Sequence, residues 1–374
     1  MAADTATIKV SRGSILCFRI FDIGDELRMD QVETCLASAP GRRRVHLTRD
    51  GAQCLQFAAS PVDIEIGARK LDLLTRQGID VALSARFFDY GAVSVEVEIP
   101  IAPGSPLVDL LPLCDELYES PRIEALAREV AGELVQRIHG AILGRHEFRD
   151  IETYTVIFVQ ALEGVSRTDQ LVDSPIVAKL LLGEAGPKAL GEEARRDVLK
   201  HAHSYFEDDL VVIDWNSAFV VEPSGSRDIP DILEFATSQL LELRYYDNLL
   251  DGELGKIYDE FALARRGWDA TFRSPYARLA RDVLRRLVEL TEFTERVDNA
   301  LKIIGDFYLA RVYQSSVTRF RIADWRMSID EKQGLVARSY DLLKGQVDIR
   351  RSTVLEFVVI ALIALELVLA LRAR

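Results

Sequence analysis

Cysteine is scarce: four residues, Cys17, Cys35, Cys54 and Cys114, in a chain of 374, and no pair has C-x-x-C spacing. That excludes a zinc ribbon and a disulfide framework, and predicts reduced thiols in a cytoplasmic protein. Met1 to Val10 has neither a basic stretch nor an apolar run, so no signal peptide or transit segment is predicted. Nucleotide and hydrolase signatures are missing as well. The nearest approach to a phosphate-binding loop, Gly252 to Lys256, has the wrong spacing and is followed by Ile257. G-x-G-x-x-G, H-E-x-x-H and G-x-S-x-G do not occur. Lysine is rare, nine against thirty-seven arginines, and acids exceed bases by 59 to 46, a net charge of -13. A surface devoted to nucleic acid is thereby excluded, and no DNA partner is expected.

What is present is a large apolar share, 48%, enough for an extensive core in two or three domains. Residues 1–105 read as a strand-rich α+β region. Ser14 to Phe21 is a predicted strand, Leu27 to Ser38 a short helix, and residues 80–88 and 92–99 a hairpin. In the second arm Val93, Val95, Val97 and Ile99 alternate with Ser94, Glu96 and Glu98, the period of a half-buried strand. Pro100, Pro103 and Pro106 mark the first predicted boundary. Residues 106–225 form a second α+β region, with helices over 123–143, 175–182 and 191–205, a strand over 154–160, and a hairpin over 210–222. Strand signals then stop. Residues 226–352 read as a long-helix bundle or stalk, with helices predicted over 231–265, over 278–315 and from about Ile329 onward. Phe293, Val297, Leu301, Ile304 and Tyr308 stripe the second of these, and with Trp325 they are the predicted oligomer interface.

Residues 353–371, TVLEFVVIALIALELVLAL, carry only two charges. As a helix they would extend roughly 28 Å, close to bilayer thickness. They are read as a transmembrane helix, with Val354, Leu355, Glu356, Phe357, Ile360, Ile363, Glu366 and Leu369 as its anchoring residues. Only three residues follow, so this would be a tail anchor holding the bulk of the chain at the cytoplasmic face of a bacterial membrane.

One polar constellation stands out for chemistry. His201 and His203 precede Glu207 and Asp209, the donor types of a divalent-metal site. The i, i+2 spacing brings two side chains together on a strand, but the segment reads as a helix end, where they diverge. A histidine pair at a helix C-terminus followed by a solvated acidic turn explains the same residues without a metal. Arg42, Arg43 and Arg44 form a basic triplet, read as a solvated loop or as a contact to RNA, the ribosome or acidic lipid.

Four stretches resemble the Required for Meiotic Nuclear Division (RMD) family, which carries a domain of unknown function: residues 209–223, 240–251, 294–313 and 355–371. In the last, Leu355-Glu356 opens an apolar helix carrying a second acid, Glu366. Phe357 stands where eukaryotic relatives usually have Trp. With no mitochondrial targeting segment, the chain resembles a bacterial branch. The resemblance implies membrane association through the C-terminus, self-association and no known catalytic activity.

Taken together, the sequence predicts an α+β fold: a strand-rich N-terminal α/β portion, then a long helical bundle, then a C-terminal transmembrane helix. The predicted function is a non-enzymatic, tail-anchored, self-associating scaffold or tether with a cytosolic head. It would have the lipid bilayer and further copies of itself as partners, and no cofactor. The alternatives are a metal-dependent enzyme using His201 to Asp209, or an RNA- or ribosome-contacting adaptor.

Overall fold

The middle of the fold is built on one long strand, β1 (Lys9–Asp22), buried without a break from Ile15 to Asp22. A strand buried on both faces must sit inside a sheet covered by helices on each side. The computed structural model describes residues 8–37, 60–148, 150–165, 167–172, 174–264 and 307–372, with short pieces at 43–44, 48–49, 52–53, 55–57, 281, 283–285, 288 and 301–303. In chain order, β1 is followed by β2 (Arg43–Arg44), β3 (Val62–Leu71), β4 (Ile79–Phe87) and β5 (Ala92–Pro100). Then come β6 (Ser105–Pro106), β7 (Ile151–Glu163), β8 (Ala202–His203), β9 (Leu210–Ile213) and β10 (Ser217–Val221). They form one sheet in the order β8-β9-β10-β7-β1-β5-β4-β3-β2, with β6 paired to the start of β1. The β7–β10 pair is parallel and the other pairs are antiparallel. Strands expected in two separate regions thus share a single sheet.

The helices are α1 (Met29–Cys35), α2 (Leu111–Tyr118), α3 (Pro121–Arg137), α4 (Asp169–Val172), α5 (Pro175–Leu182) and α6 (Glu192–Leu199). After them come α7 (Asp228–Ala264), α8 (Phe307–Arg319) and α9 (Ile322–Arg372). Pro121 opens α3 where its missing N–H costs nothing, and Ile123, Ala127, Val130, Ala131, Leu134 and Val135 make one buried stripe. That stripe lies on β1 and β5, while α5 lies on β10. On this face the odd-numbered residues of β4 and β5, Val81, Leu83, Ala85, Phe87, Val93, Val95, Val97 and Ile99, join one apolar core with Ile15, Cys17 and Phe21. The opposite face is covered by α7 and α8: Phe88 meets Phe235, Phe235 meets Tyr313, and Tyr154 meets the Phe320 ring edge-on.

Two compact units result. One comprises Met1–Leu243 with Arg296–Ala323; the other comprises Arg244–Glu295 with Asp324–Arg374. Within the second, Lys332 binds Asp247 at 2.8 Å and Asp251 at 2.7 Å, and the Arg244 guanidinium stands 5.8 Å above the Trp325 ring.

Three expectations change. First, the helix predicted over 278–315 is not continuous: Leu301–Ile303 is a short strand paired with Leu55–Phe57, and α8 begins at Phe307. Second, the helix predicted to run to Tyr205 stops at Leu199, and Ala202–His203 is an edge strand. Third, mixed α/β architecture holds, but the transmembrane helix does not. Among the described residues no helix is long and apolar enough to cross a membrane. The apolar stretch of α9 carries the carboxylate of Glu356, a group that is costly to place inside a hydrocarbon layer. The tail-anchor, membrane-scaffold and membrane-localisation readings lose their structural basis.

Candidate functional site

Sheet register assembles the site. On the face turned toward α7, Glu96 of β5 stands opposite Phe18 of β1 on one side and Ser84 of β4 on the other. One row along, Ser94 stands between Ile20 and Arg86, and Arg86 opposes Asp63 of β3. The face is therefore apolar at β1 and polar across β5, β4 and β3. A bulge between Glu65 and Gly67 breaks the β3–β4 ladder there, and Gly67 adopts a φ of +112°, which a side chain disfavours. The result is a cleft of about 300 Å³, lined by Asp63, Glu65, Glu96, Glu98, Arg86, Arg227 and Asp231 among others.

Two arginines organise its floor. Arg86 donates to Asp63 at 2.7 and 3.0 Å, to Asp231 at 3.1 Å and to Glu234 at 2.6 Å. Burial works against its charge, but Asp231, Glu234 and Asp63 more than offset that and hold its pKa well above the ordinary value. Arg227, just before α7, clamps Glu96 with two contacts of 2.5 Å and reaches Glu98 at 3.3 Å. Burial pushes Glu234 up to about 8 despite the neighbouring Arg86, with Asp231 adding repulsion. Burial also raises Asp231 and Glu96. Five lining carboxylates thus face two guanidiniums that are already engaged. The arrangement suits a positively charged guest: an ammonium or guanidinium would meet unspent carboxylate lone pairs, whereas an anion would have to displace Glu96 from Arg227.

The residues singled out from sequence are dispersed. His201 and His203 come together, but on Ser315 of α8. Glu207 pairs with Arg167 at 3.0 Å, and Asp209 accepts from the backbone N–H groups of Tyr205 and Phe206. The carboxylates expected beside the histidines are thus spent elsewhere, and no group of three or more His, Cys, Asp or Glu able to hold a metal occurs among the described residues. Tyr308 is buried and packs 5.5 Å from the Tyr205 ring, while Trp325 is half-buried. Phe293, Val297 and Ile304 lie outside the described residues. Leu301 lies in the short strand, its side chain outside them. Leu355, Phe357, Ile360, Ile363 and Leu369 are exposed on α9, as is Glu356, whereas the side chains of Val354 and Glu366 are outside the described residues. Arg43 and Arg44 form the edge strand β2, and Arg42 is outside the described residues. Of the cysteines, Cys17 and Cys114 are buried free thiols and Cys35 is an exposed one; Cys54 lies outside the described residues.

Sequence reasoning missed Arg86, Arg227, Asp231 and Glu234 as a group. The signal was partly visible: Ser94, Glu96 and Glu98 form the polar half of β5, and Asp231 and Glu234 open a helix. The pairing of β4 and β3 beside β5 was not.

Fold and cleft together define a helix-covered α/β sheet domain with a carboxylate-rich cleft. The family model described as Uncharacterized protein MJ0711, N-terminal domain, matches residues 12–227, and the chain belongs to that family. The matched span carries the whole cleft up to Arg227; Asp231 and Glu234 follow within two turns of helix. The chain is similar to Uncharacterized protein MJ0711 of Methanocaldococcus jannaschii, 24% identical over 197 residues, covering 52% of this chain and 59% of that protein. No solved structure matches. The resemblance to the RMD family is overturned, because the family match falls on the sheet and not on the C-terminal helix that was the most specific part of that resemblance.

Proposed function

We propose that the sheet unit is a binding module that takes up an organic cation, an amine or guanidinium compound, in the cleft between β3, β4, β5 and the start of α7. The observation that carries this reading is the excess of carboxylates over guanidiniums in a cleft of about 300 Å³. Glu65 is exposed at the mouth and Glu98 is about a third exposed, so both meet a guest without disturbing the buried floor. Calorimetry of the full chain with agmatine as probe tests it. Saturable binding is expected, weakened at least tenfold by Glu65→Gln combined with Glu98→Gln and reduced by salt. Absence of binding at millimolar agmatine, or binding indifferent to the two substitutions, overturns it.

A second reading, self-association, is supported by a different observation. Leu355, Phe357, Ile360, Leu362, Ile363 and Leu365 of α9 are each more than half exposed. Apolar surface of this extent is covered in working proteins, and further copies of α9 are the covering proposed here. Sedimentation velocity on the full chain should show a species larger than the monomer, and Phe357→Glu with Ile360→Glu should dissociate it. A monomer at high micromolar concentration refutes this reading.

A further inference from the structure

On the far edge of the sheet from the cleft, His201 and His203 meet Ser315. His201 Nδ1 lies 2.8 Å and His203 Nε2 lies 2.9 Å from the Ser315 hydroxyl oxygen. His201 closes the turn before β8 and His203 lies in β8, and the His201 carbonyl accepts from the Ile213 N–H of the neighbouring strand. A serine hydroxyl has one proton to give. At most one imidazole nitrogen accepts the Oγ–H, so at least one ring donates its N–H to Oγ. The adjacent Ser316, 0% exposed against 8% for Ser315, instead donates 2.9 Å back to the Val312 carbonyl, the usual fate of a serine within a helix.

The surroundings bias this triad. Burial lowers both histidines; Arg319 and Lys200 lower His201 further, and Arg311 and His201 do so for His203. Both rings are neutral near pH 7, the form that accepts a proton. The acids Asp197, on α6, and Asp214, after β9, also face His201, and Arg319 is itself bound to both. Arg311 and the neighbouring His201 ring face His203. A proton leaving the serine is thus better accommodated on His201 than on His203. Beside the triad, Tyr205 and Phe206 stand exposed with ring centres 4.7 Å apart, and Tyr205 packs against Tyr308 at 5.5 Å, giving the site an apolar flank.

We infer that Ser315 is a nucleophile, with His201 Nδ1 as its base and His203 Nε2–H as a hydrogen-bond donor to the reacting oxygen, acting on esters with an apolar acyl group. Ser315 Oγ attacks the ester carbonyl carbon while its proton passes to His201. The C–O bond to the alcohol then breaks, and His201 returns the proton to that leaving oxygen. Water attacks the acyl-serine, gives its proton to His201, and releases the carboxylic acid as Ser315 recovers the proton. Nucleophile and base within hydrogen-bond reach is the geometry this chemistry requires.

The test is treatment of the full chain with an alkyl fluorophosphonate, followed by peptide mass spectrometry, with p-nitrophenyl butyrate hydrolysis as a second readout. An adduct is expected on Ser315 and not on Ser316, with labelling that increases as His201 deprotonates. Labelling should fall at least about 100-fold in His201→Gln, the usual scale of lost general-base help, and less in His203→Gln. Ser316→Ala should label normally. Absence of an adduct in the folded wild-type chain overturns the inference whatever the variants do. So does equal labelling of wild type and of a His201→Gln protein whose circular dichroism and melting match wild type.

Discussion

Glu234 gives the most direct test of the cleft's electrostatics. Its carboxyl is 3% exposed, 2.6 Å from Arg86, and pushed up from 4.5 to about 8 by burial. A raised carboxyl pKa means that the folded chain holds this proton more tightly than the unfolded chain does. The stability tied to it is complete below pH 4.5 and is lost as the pH climbs toward 8. Across that window the unfolded chain ionises while the folded chain does not, at about 1.4 kcal/mol per pH unit. By pH 7 the accumulated loss is on the order of 3 kcal/mol. Glutamine has the shape of the protonated acid and no proton to lose, so Glu234→Gln should escape the loss. Urea unfolding of both proteins at pH 5, 6, 7 and 8, followed through hydrogen exchange of β4 and β5 amides, measures this directly. The variant should gain on wild type steadily with pH, and the gain should level off above pH 8. A pH-independent difference, or a variant that loses ground as pH rises, would refute the assignment of a protonated Glu234 beneath Arg86.

Arg86→Met should cost the sheet unit about 3–5 kcal/mol at pH 7, because it strands Asp63 and Asp231 without their shared cation and removes the hydrogen-bond partner of Glu234; a melting temperature within 2 °C of wild type would contradict this. His146, gripped by Asp22 at 2.7 Å and Asp25 at 2.9 Å, has its pKa raised to about 9: burial opposes the shift, and the two carboxylates outweigh it. Its stabilisation is complete below pH 6.5 and lost as the pH rises through 9, so His146→Gln should flatten the stability profile between those values in denaturant titrations. Gly91 has a φ of +100°, and a Cβ there would fall 1.6 Å from the Gly24 carbonyl oxygen. Gly91→Ala should therefore destabilise by more than about 2 kcal/mol, whereas Gly78→Ala, with open space around it, should cost only its positive φ of +62°.

Sequence period was informative where one physical force dominated. Val93, Val95, Val97 and Ile99 alternate with polar residues because one face of β5 meets α3 and the core, and that alternation is local enough to read directly. The hairpins β4–β5 and β9–β10 were legible for the same reason. His201 and His203 were not, since a two-residue edge strand leaves almost no periodic trace and the preceding helix pattern runs straight into it. The stripe from Phe293 to Tyr308 misled because a heptad-like spacing does not say whether the backbone between its members stays helical, and Leu301–Ile303 pairs as a strand. Apolar composition at residues 353–371 misled similarly, since it records hydrophobicity without recording what covers it.

The cleft itself shows why side-chain clusters of this type escape single-sequence reading. Ser94, Glu96 and Glu98 look like the solvent side of an ordinary half-buried strand, yet Ser94 is fully buried and Glu96 nearly so. What buries them is the start of α7, more than 130 residues away in the chain, and α7 brings acids of its own, Asp231 and Glu234. Apposing two acidic surfaces is unfavourable unless cations lie between them, and Arg86 and Arg227 occupy that position. Neither arginine has a distinctive local context; each takes its role from strand register and from one helix entry point. The same argument explains the surplus of carboxylate. Charge balance limits the buried part of the network, since each further buried acid costs desolvation without a partner. Glu65 and Glu98 at the rim extend the network beyond balance on the side open to solvent, which is where an incoming cation would arrive.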